Sequence, residues 1–269
     1  MDILSYSFMQ HAFLAAFLVS ICIGIVGSLV VVNRMVFLSG GIAHGSYGGI
    51  GLAIYFGIFP LVGASIFAIF LSLVVAIVSY KNRERMDPII GAMWAAGMSI
   101  GIIFTDLTPG YNVDIMSYLF GSIISVSNRD LIVMGIFDVI IVLLVSLLHK
   151  DFLAMSFDSE FAKLRGVKEK ALYYLLIVLI GISIIVSVRA VGLILVIALM
   201  SIPTFMAEKI SSSLYRMMYI ATILTIIFTF AGLFLSYFLN ISSGAAIIFV
   251  ASTLFFIFVV LSKTKKYFR

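Results

Sequence analysis

Two ionisable side chains lie inside apolar stretches of the sequence, and they are the residues best placed to do chemistry there. His44 lies in FLSGGIAHGSYGGIGLAIYFG, and Asp138 lies in the middle of the apolar run 131–149. An ionisable group inside a membrane is costly, and it usually marks a substrate or ion path. A neutral imidazole is also the commonest protein ligand of transition metals. On spacing alone, His44 is either such a ligand or a buried histidine that bonds a facing carbonyl group.

Asp138 has no obvious partner in the sequence, so it could line a cavity, pair with a neighbour or lie buried as an uncharged acid. On a transport path it could be the coupling carboxylate of a secondary transporter driven by protons or sodium ions. Such transporters show a repeat between their halves, and the sequence shows no convincing repeat. An intramembrane enzyme would need two catalytic groups at one depth. His44 and Asp138 are the only candidates, with no motif around either.

Two enzyme motifs are absent from the sequence. It holds no G-x-x-x-x-G-K-[ST] phosphate loop and no H-E-x-x-H motif, and its three histidines are far apart. The chain therefore cannot hydrolyse ATP through a phosphate loop of its own, and zinc-protease chemistry is disfavoured. We expect neither a catalytic residue nor a bound cofactor in this chain.

The elements that position these residues are predicted to be transmembrane helices. The 269-residue chain is 63% hydrophobic and 11% charged, whereas soluble domains are about 45–50% apolar and about a quarter charged. Because roughly 20 helical residues cross a bilayer, we predict an all-α integral membrane protein, a single polytopic domain over 1–269. About nine spans are expected, or eight if 191–209 or its neighbour is a half-helix. The nine are 8–32, 35–57, 60–80, 87–105, 131–149, 171–188, 191–209, 215–236 and 244–262.

The segment IMSYLFGSIISVS, residues 115–127, is apolar but too short to cross the membrane. It lies between a loop and the fifth predicted span. A re-entrant helix and a buried extracellular loop helix both fit this position, because backbone at membrane depth is tolerated only where protein or a watery cavity covers it.

Fifteen of the 17 basic residues cluster at one set of span ends, and the exceptions are Arg129 and Arg189. Lys and Arg accumulate in cytoplasmic loops of membrane proteins. The pattern predicts a multi-pass protein of the cell membrane, surrounded by lipid, with its N-terminus outside and its C-terminus in the cytoplasm. It also accounts for the pI of 9.3 without a nucleic-acid partner.

The longest predicted cytoplasmic connection is KDFLAMSFDSEFAKLRGVKEK, residues 150–170. Phe157, Phe161 and Leu164 recur at helical spacing, and Gly166 is a plausible C-terminal stop. The pattern predicts a short amphipathic helix. It could dock on a partner protein or lie on the membrane surface.

The second predicted span carries a row of small residues on one helix face. Its members, spaced four residues apart, are Gly41, Gly45, Gly49, Ala53 and Gly57. Small residues let a neighbouring helix backbone approach closely, so this face is expected to pack against another helix.

Six motifs in order resemble one known family. LSGGIAHGSYGGIGLA, DPIIGAMWAAGMSIGIIF and YLFGSIISVS are followed by FDSEFAKLRGV, VRAVGLILVIALMSIPTFMA and LSYFLNISSGAAIIFVAS. Together they are similar to the permease subunits of zinc/manganese/iron ATP-binding-cassette (ABC) importers, over nearly the whole chain. The resemblance implies a fold like that of type II ABC importers and the import of a divalent transition metal, Zn²⁺ or Mn²⁺ foremost.

The resemblance also implies partners and roles for particular residues. It implies a homodimeric permease, two cytoplasmic ATP-binding subunits and an extracytoplasmic metal-binding protein. His44 would make a transient metal contact on the translocation path. Many members carry Asp four residues before this histidine, and Gly40 stands there, so the carboxylate–imidazole pair is absent. The coupling helix that docks on the ATPase would comprise Asp158, Glu160, Phe161, Leu164 and Gly166.

Overall fold

A computed structural model of the protein describes residues 6–80, 86–109 and 121–267. Within these ranges the secondary structure is α-helical, with one 3-10 turn at Ile123–Ser125 and no strand. The helices are α1 (Ser7–Val32), α2 (Val36–Gly45), α3 (Tyr47–Tyr55), α4 (Pro60–Ser79), α5 (Asp87–Asp106), α6 (Asn128–Leu147), α7 (His149–Phe157), α8 (Ser159–Leu164), α9 (Glu169–Val191), α10 (Leu193–Ile210), α11 (Leu214–Leu239) and α12 (Ser243–Tyr267).

Each predicted span falls on helical structure, which confirms the all-α prediction. Seven single helices among the described residues are long and apolar enough to cross a membrane: α1, α4, α5, α6, α9, α11 and α12. The predicted span 35–57 falls on the pair α2 and α3, and 191–209 falls on α10. The total of about nine spans stays a prediction.

The second predicted span is not one continuous helix. It is interrupted at Ser46, whose N–H donates to the Ile42 carbonyl at 2.9 Å and whose hydroxyl donates to the Ala43 carbonyl at 2.6 Å. Glycine disfavours helix interiors, and a serine hydroxyl competes for backbone groups. The glycine-rich sequence around Ser46 explains the break, which comes two residues after His44.

Two helices form the centre of the bundle. α1 packs against α6, α9, α10 and α11, and α9 also packs along α4. In α1 and α9, 67% of the membrane-length window is buried, against 22% in α5 and α12. α2 and α3 lie between α4 and α5, so His44 is carried by a layer outside the central pair.

The connection before α6 is described only in part. Of the predicted re-entrant segment 115–127, residues 115–120 lie outside the described residues. Its end forms the 3-10 turn, where Ile123 is fully buried. Ser127 then starts α6 through a capping box with Asp130. The choice between a re-entrant helix and a loop helix therefore stays open, and the basic cluster at 81–85 is likewise outside the described residues.

Candidate functional site

His44 lies one residue before the end of α2, and its side chain is buried against α5. The imidazole stacks flat on the Trp94 indole, with the ring centroids 4.1 Å apart and the planes 5° apart. Trp94 in turn donates its Nε1–H to the sulfur of Met98 at 3.1 Å. Nδ1 of His44 has no hydrogen-bond partner among the described residues. The ring is thus held by stacking rather than by the carbonyl bond that a purely structural histidine would make.

Glycines on α2 and α5 let the two helices approach closely, which brings the His44 ring against α5. A Cβ on Gly97 of α5 would overlap the backbone of Gly45, and a Cβ on Gly41 would overlap the side chain of Ile90. One turn further on, Gly49 of α3 and Gly63 of α4 block each other's Cβ positions in the same way. The predicted packing of the glycine row is found over residues 41–49, which lie against α5 and α4, whereas Gly57 follows α3, is exposed and has no neighbour at its Cβ position.

Apolar side chains lie beside Gly40, the position at which the family pattern has an aspartate. A Cβ on Gly40 would lie 2.9 Å from Cδ1 of Ile197 on α10 and 4.0 Å from Cζ3 of Trp94. Two apolar side chains therefore occupy the place to which an aspartate would point. Among the described residues, no group of three or more His, Cys, Asp or Glu side chains could hold a metal ion. A lone His44 would offer a metal ion a single nitrogen ligand. One ligand would support weak, transient binding rather than a tight site.

Asp138 lies on α6 in a different part of the bundle. Its side chain is 4% exposed, and neither carboxylate oxygen has a hydrogen-bond partner among the described residues. It faces α1 near the buried thiol of Cys22, which lies beside Ser183 of α9. The structure therefore separates the two ionisable residues: His44 faces α5, and Asp138 faces the central pair α1 and α9.

The predicted amphipathic helix is present in part, as α8, because the extended residue Asp158 separates it from Phe157 at the end of α7. Asp158 caps its first turn by accepting the backbone N–H of Glu160 at 3.1 Å and of Phe161 at 2.9 Å. Gly166, with φ of +80°, follows the last turn, as predicted. An aspartate cap and a glycine stop fix this six-residue helix locally.

Three apolar side chains at this helix point away from the protein: Phe161 and Leu164 of α8, and Phe157 at the end of α7. Phe157 is 73% exposed, Phe161 is 52% exposed and Leu164 is 87% exposed. We call these three residues the α8 patch. Arg165 lies 5.8 Å from the Phe161 ring centre, and Glu160 is also exposed, so charges border the patch. An exposed apolar patch with a polar rim is typical of a surface that binds a protein or a membrane.

Sequence reasoning missed two residues of these regions. Trp94, which covers His44, is the chain's single tryptophan and lies in the DPIIGAMWAAGMSIGIIF motif. Glu169 was given no role, although an acid directly before an apolar span is visible in the sequence. Its carboxylate is buried beside α8.

Comparison with known proteins gives consistent matches. The chain matches the ABC 3 transport family over residues 5–262. It is 47% identical over 254 residues to an uncharacterised membrane protein of Synechocystis sp., covering 94% of this chain and 90% of that protein. It is 31% identical over 255 residues to the manganese transport system membrane protein MntC of Listeria monocytogenes, covering 95% and 91% of the two chains.

A solved structure has the same fold. The structure of PsaBC from Streptococcus pneumoniae in complex with a Fab contains a chain that aligns with a TM-score of 0.84 at 26% sequence identity. The alignment covers 95% of this chain and 92% of that one. Sequence and structure thus agree over almost the whole length.

Proposed function

Because the chain belongs to the ABC 3 transport family, we propose that it is the membrane-spanning permease subunit of an ABC importer for a divalent transition metal. The observation that carries this proposal is the match over residues 5–262, together with a manganese transport relative aligned across 95% of the chain. Translocation, rather than catalysis, is the work of such a subunit. ATP hydrolysis belongs to a separate subunit, which fits the absence of a phosphate loop.

Manganese is the metal that we place first. A relative's name specifies manganese, whereas zinc rests on the motif resemblance alone. High affinity would reside in an extracytoplasmic metal-binding protein, because a path must bind weakly enough to release its ion. In the permease, His44 would make a transient contact. The apolar filling beside Gly40 supports this division, since it leaves no carboxylate next to the imidazole.

The α8 patch is the surface that we assign to the ATPase. Its side chains are exposed and apolar, and α8 joins α7 to α9 at one end of the bundle. Leu164→Ser should weaken co-purification of the ATPase. Leu239→Ser, which changes an equally apolar residue that is 59% exposed at the far end of α11, should not. Equal co-purification of both variants would place the ATPase elsewhere.

We also propose that the permease is a homodimer through α5. Only 22% of its membrane-length window is buried in the single chain. Its exposed residues include the small side chains of Ala92, Ala95 and Ala96. Small faces favour close helix contacts in membranes. A disulfide between copies of an Ala95→Cys variant in a Cys22→Ser background would support this arrangement, and its absence in functional transporter would count against it.

The proposed orientation puts α8 and the C-terminus in the cytoplasm. In intact cells, a membrane-impermeant thiol reagent should label Ile241→Cys, in the loop between α11 and α12, and should not label Lys168→Cys. The opposite labelling pattern would invert the topology.

The decisive experiment reconstitutes the permease with its ATPase and binding protein in liposomes. We expect manganese uptake that requires ATP and both partners. Uptake without the ATPase, driven by a proton or sodium gradient, would instead favour the secondary transporter with Asp138 as its coupling group. The family match gives no support to that alternative.

A further inference from the structure

One buried carboxylate joins three segments beside α8. Glu169 begins α9, and its side chain is only 1% exposed. Its Oε2 accepts the Tyr80 hydroxyl at 2.8 Å, directly after α4 ends, and lies 3.8 Å from Nζ of Lys163 on α8. One oxygen atom therefore connects α8, α4 and the start of α9.

The surrounding residues make this junction more than a surface ion pair. Lys170 lies over two aromatic rings, 5.7 Å from the centre of Tyr80 and 5.6 Å from that of Tyr174. The Tyr173 hydroxyl is hydrogen-bonded to that of Ser79 at 2.8 Å. Exposed ion pairs contribute little because water screens them, but a buried carboxylate is held firmly by its partners, since losing them leaves an uncompensated charge.

From this junction, close contacts lead toward His44. α9 packs along α4, where a Cβ on Gly181 would overlap the Ser72 hydroxyl. α4 then meets α3 through the mutually blocking pair Gly49 and Gly63. α3 continues α2, which carries His44. Because these contacts are close, a displacement of α4 is expected to shift its neighbours.

We propose that Glu169 is a positioning residue that transmits movement of α8 to α4 and α9. The inference rests on the proposed function, since it assumes that an ATPase moves α8. Without the Glu169 contacts, α8 would keep its buried Ala162 and the short connection 165–168 to α9, in which a Cβ on Gly166 would meet no atom within 4 Å. It would lose its link through Glu169 to Tyr80, directly after α4. The helix could then follow the ATPase while α4 stays in place.

The test compares transport with ATP hydrolysis in proteoliposomes that contain the full transporter and its binding protein, with Mn²⁺ as substrate. Two variants alter the junction: Glu169→Gln removes the charge, and Tyr80→Phe removes one hydroxyl and keeps the ring. We expect the ATPase to remain bound and ATP hydrolysis to stay near the wild-type rate. Manganese imported per ATP should fall about tenfold, within the range that coupling residues produce. Glu169→Gln breaks the ion pair with Lys163, and Tyr80→Phe breaks the hydrogen bond from the Tyr80 hydroxyl. Because both contacts meet at one oxygen atom, the double variant should lose less than the sum of the two single losses.

Glu208→Gln is the matched control. Glu208 pairs with Lys209 at 3.7 Å, nearly the Glu169–Lys163 distance, but its side chain is 38% exposed. This variant should import as much manganese per ATP as the wild type. Unchanged coupling in both junction variants would overturn the inference, as would loss of the folded complex in both, which would make Glu169 a folding residue. Absence of ATP-dependent uptake in the wild type would instead reject the proposed function.

Discussion

The regions around His44 and Asp138 look alike in sequence and differ in structure. Each holds one ionisable residue in an apolar helix, and each side chain is buried with polar atoms that lack hydrogen-bond partners among the described residues. His44 faces α5, whose membrane-length window is 22% buried, whereas Asp138 faces α1, whose window is 67% buried. Asp138 is carried by α6, whose own window is 28% buried, so its carboxylate points from an outer helix into the centre of the bundle, whereas His44 points from α2 toward an outer helix.

This difference teaches that neighbours, rather than residue type, decide what a lone ionisable residue can do. The His44 ring stacks on Trp94, the next residue Gly45 packs against Gly97, and Nδ1 has no hydrogen-bond partner among the described residues. Asp138 is enclosed by the most buried helices. We therefore propose that transport involves His44 and that Asp138 is a residue of the packed centre.

The largest effect is expected from breaking the glycine contacts that hold His44 against α5. In Gly45→Leu, the new Cβ would lie 2.6 Å from Cδ1 of Leu71 and 3.5 Å from the Met93 carbonyl, with three further carbons to fit. Overpacking costs about 1–3 kcal/mol or more, so yield and thermal stability in detergent should fall clearly.

The matched control for this change is Gly135→Leu on α6, because no atom lies within 4 Å of the Cβ position of Gly135. That variant should purify like the wild type. Equal stability of the two leucine variants would mean that α2 does not pack at Gly45 against α4 and α5 as described.

Removing the imidazole should produce the next largest effect. We expect His44→Ala to assemble with its ATPase but to import manganese roughly tenfold to a hundredfold more slowly, the usual loss when a residue that orients a metal site is removed. His11→Ala is the control, because it changes a histidine near the N-terminal end of α1. Wild-type uptake by His44→Ala would reduce this residue to a packing group.

A gain of binding would sharpen the comparison further. Gly40→Asp places a carboxylate one turn before His44, after a shift of the flexible end of Ile197. Equilibrium manganese binding to the isolated permease should become about tenfold tighter, a change of about 1.4 kcal/mol, and turnover should slow because release is harder. Gly40→Asn has the same shape without the charge, and identical binding by both variants would show that His44 does not face the metal.

The smallest effect is expected at the other region. Asp138→Asn keeps the volume of a buried side chain and removes a charge that has no partner among the described residues. Replacing an unpaired buried charge does not destabilise a protein, so thermal stability should be equal or higher and manganese uptake close to wild type. Loss of uptake in a stable, assembled variant would move Asp138 onto the transport path.

The helical spans could be read from the sequence because apolar length alone defines them. The predicted span 8–32 differs from α1, Ser7–Val32, by one residue. The predicted glycine stop after α8 is present at Gly166. The break at Ser46 was not predicted, because the apolar run 35–57 is long enough for one span, although the glycines and the serine around residue 46 disfavour a continuous helix. Helical spacing also pointed to the residues of the α8 patch, although it could not show that their side chains are exposed.

The contacts that define the candidate site were beyond sequence reasoning. Trp94 is 50 residues from His44, and Tyr80 is 89 residues from Glu169. Such pairs depend on which helices become neighbours, and a single sequence does not reveal that. The sequence did indicate, through Gly40, that the family's paired ligand is missing, but only the structure shows Ile197 and Trp94 in its place.

The glycine contacts have a consequence for how this protein can evolve. Gly49 and Gly63 block each other with main-chain atoms, so no change elsewhere can make room for a side chain at either position. Gly40 is blocked by the side chains of Ile197 and Trp94, which mutation can replace. The Gly49–Gly63 interface therefore tolerates no larger side chain, while residues beside His44 can be substituted. A descendant of this chain could acquire a different metal preference through a few substitutions around residue 40 and still inherit its architecture unchanged.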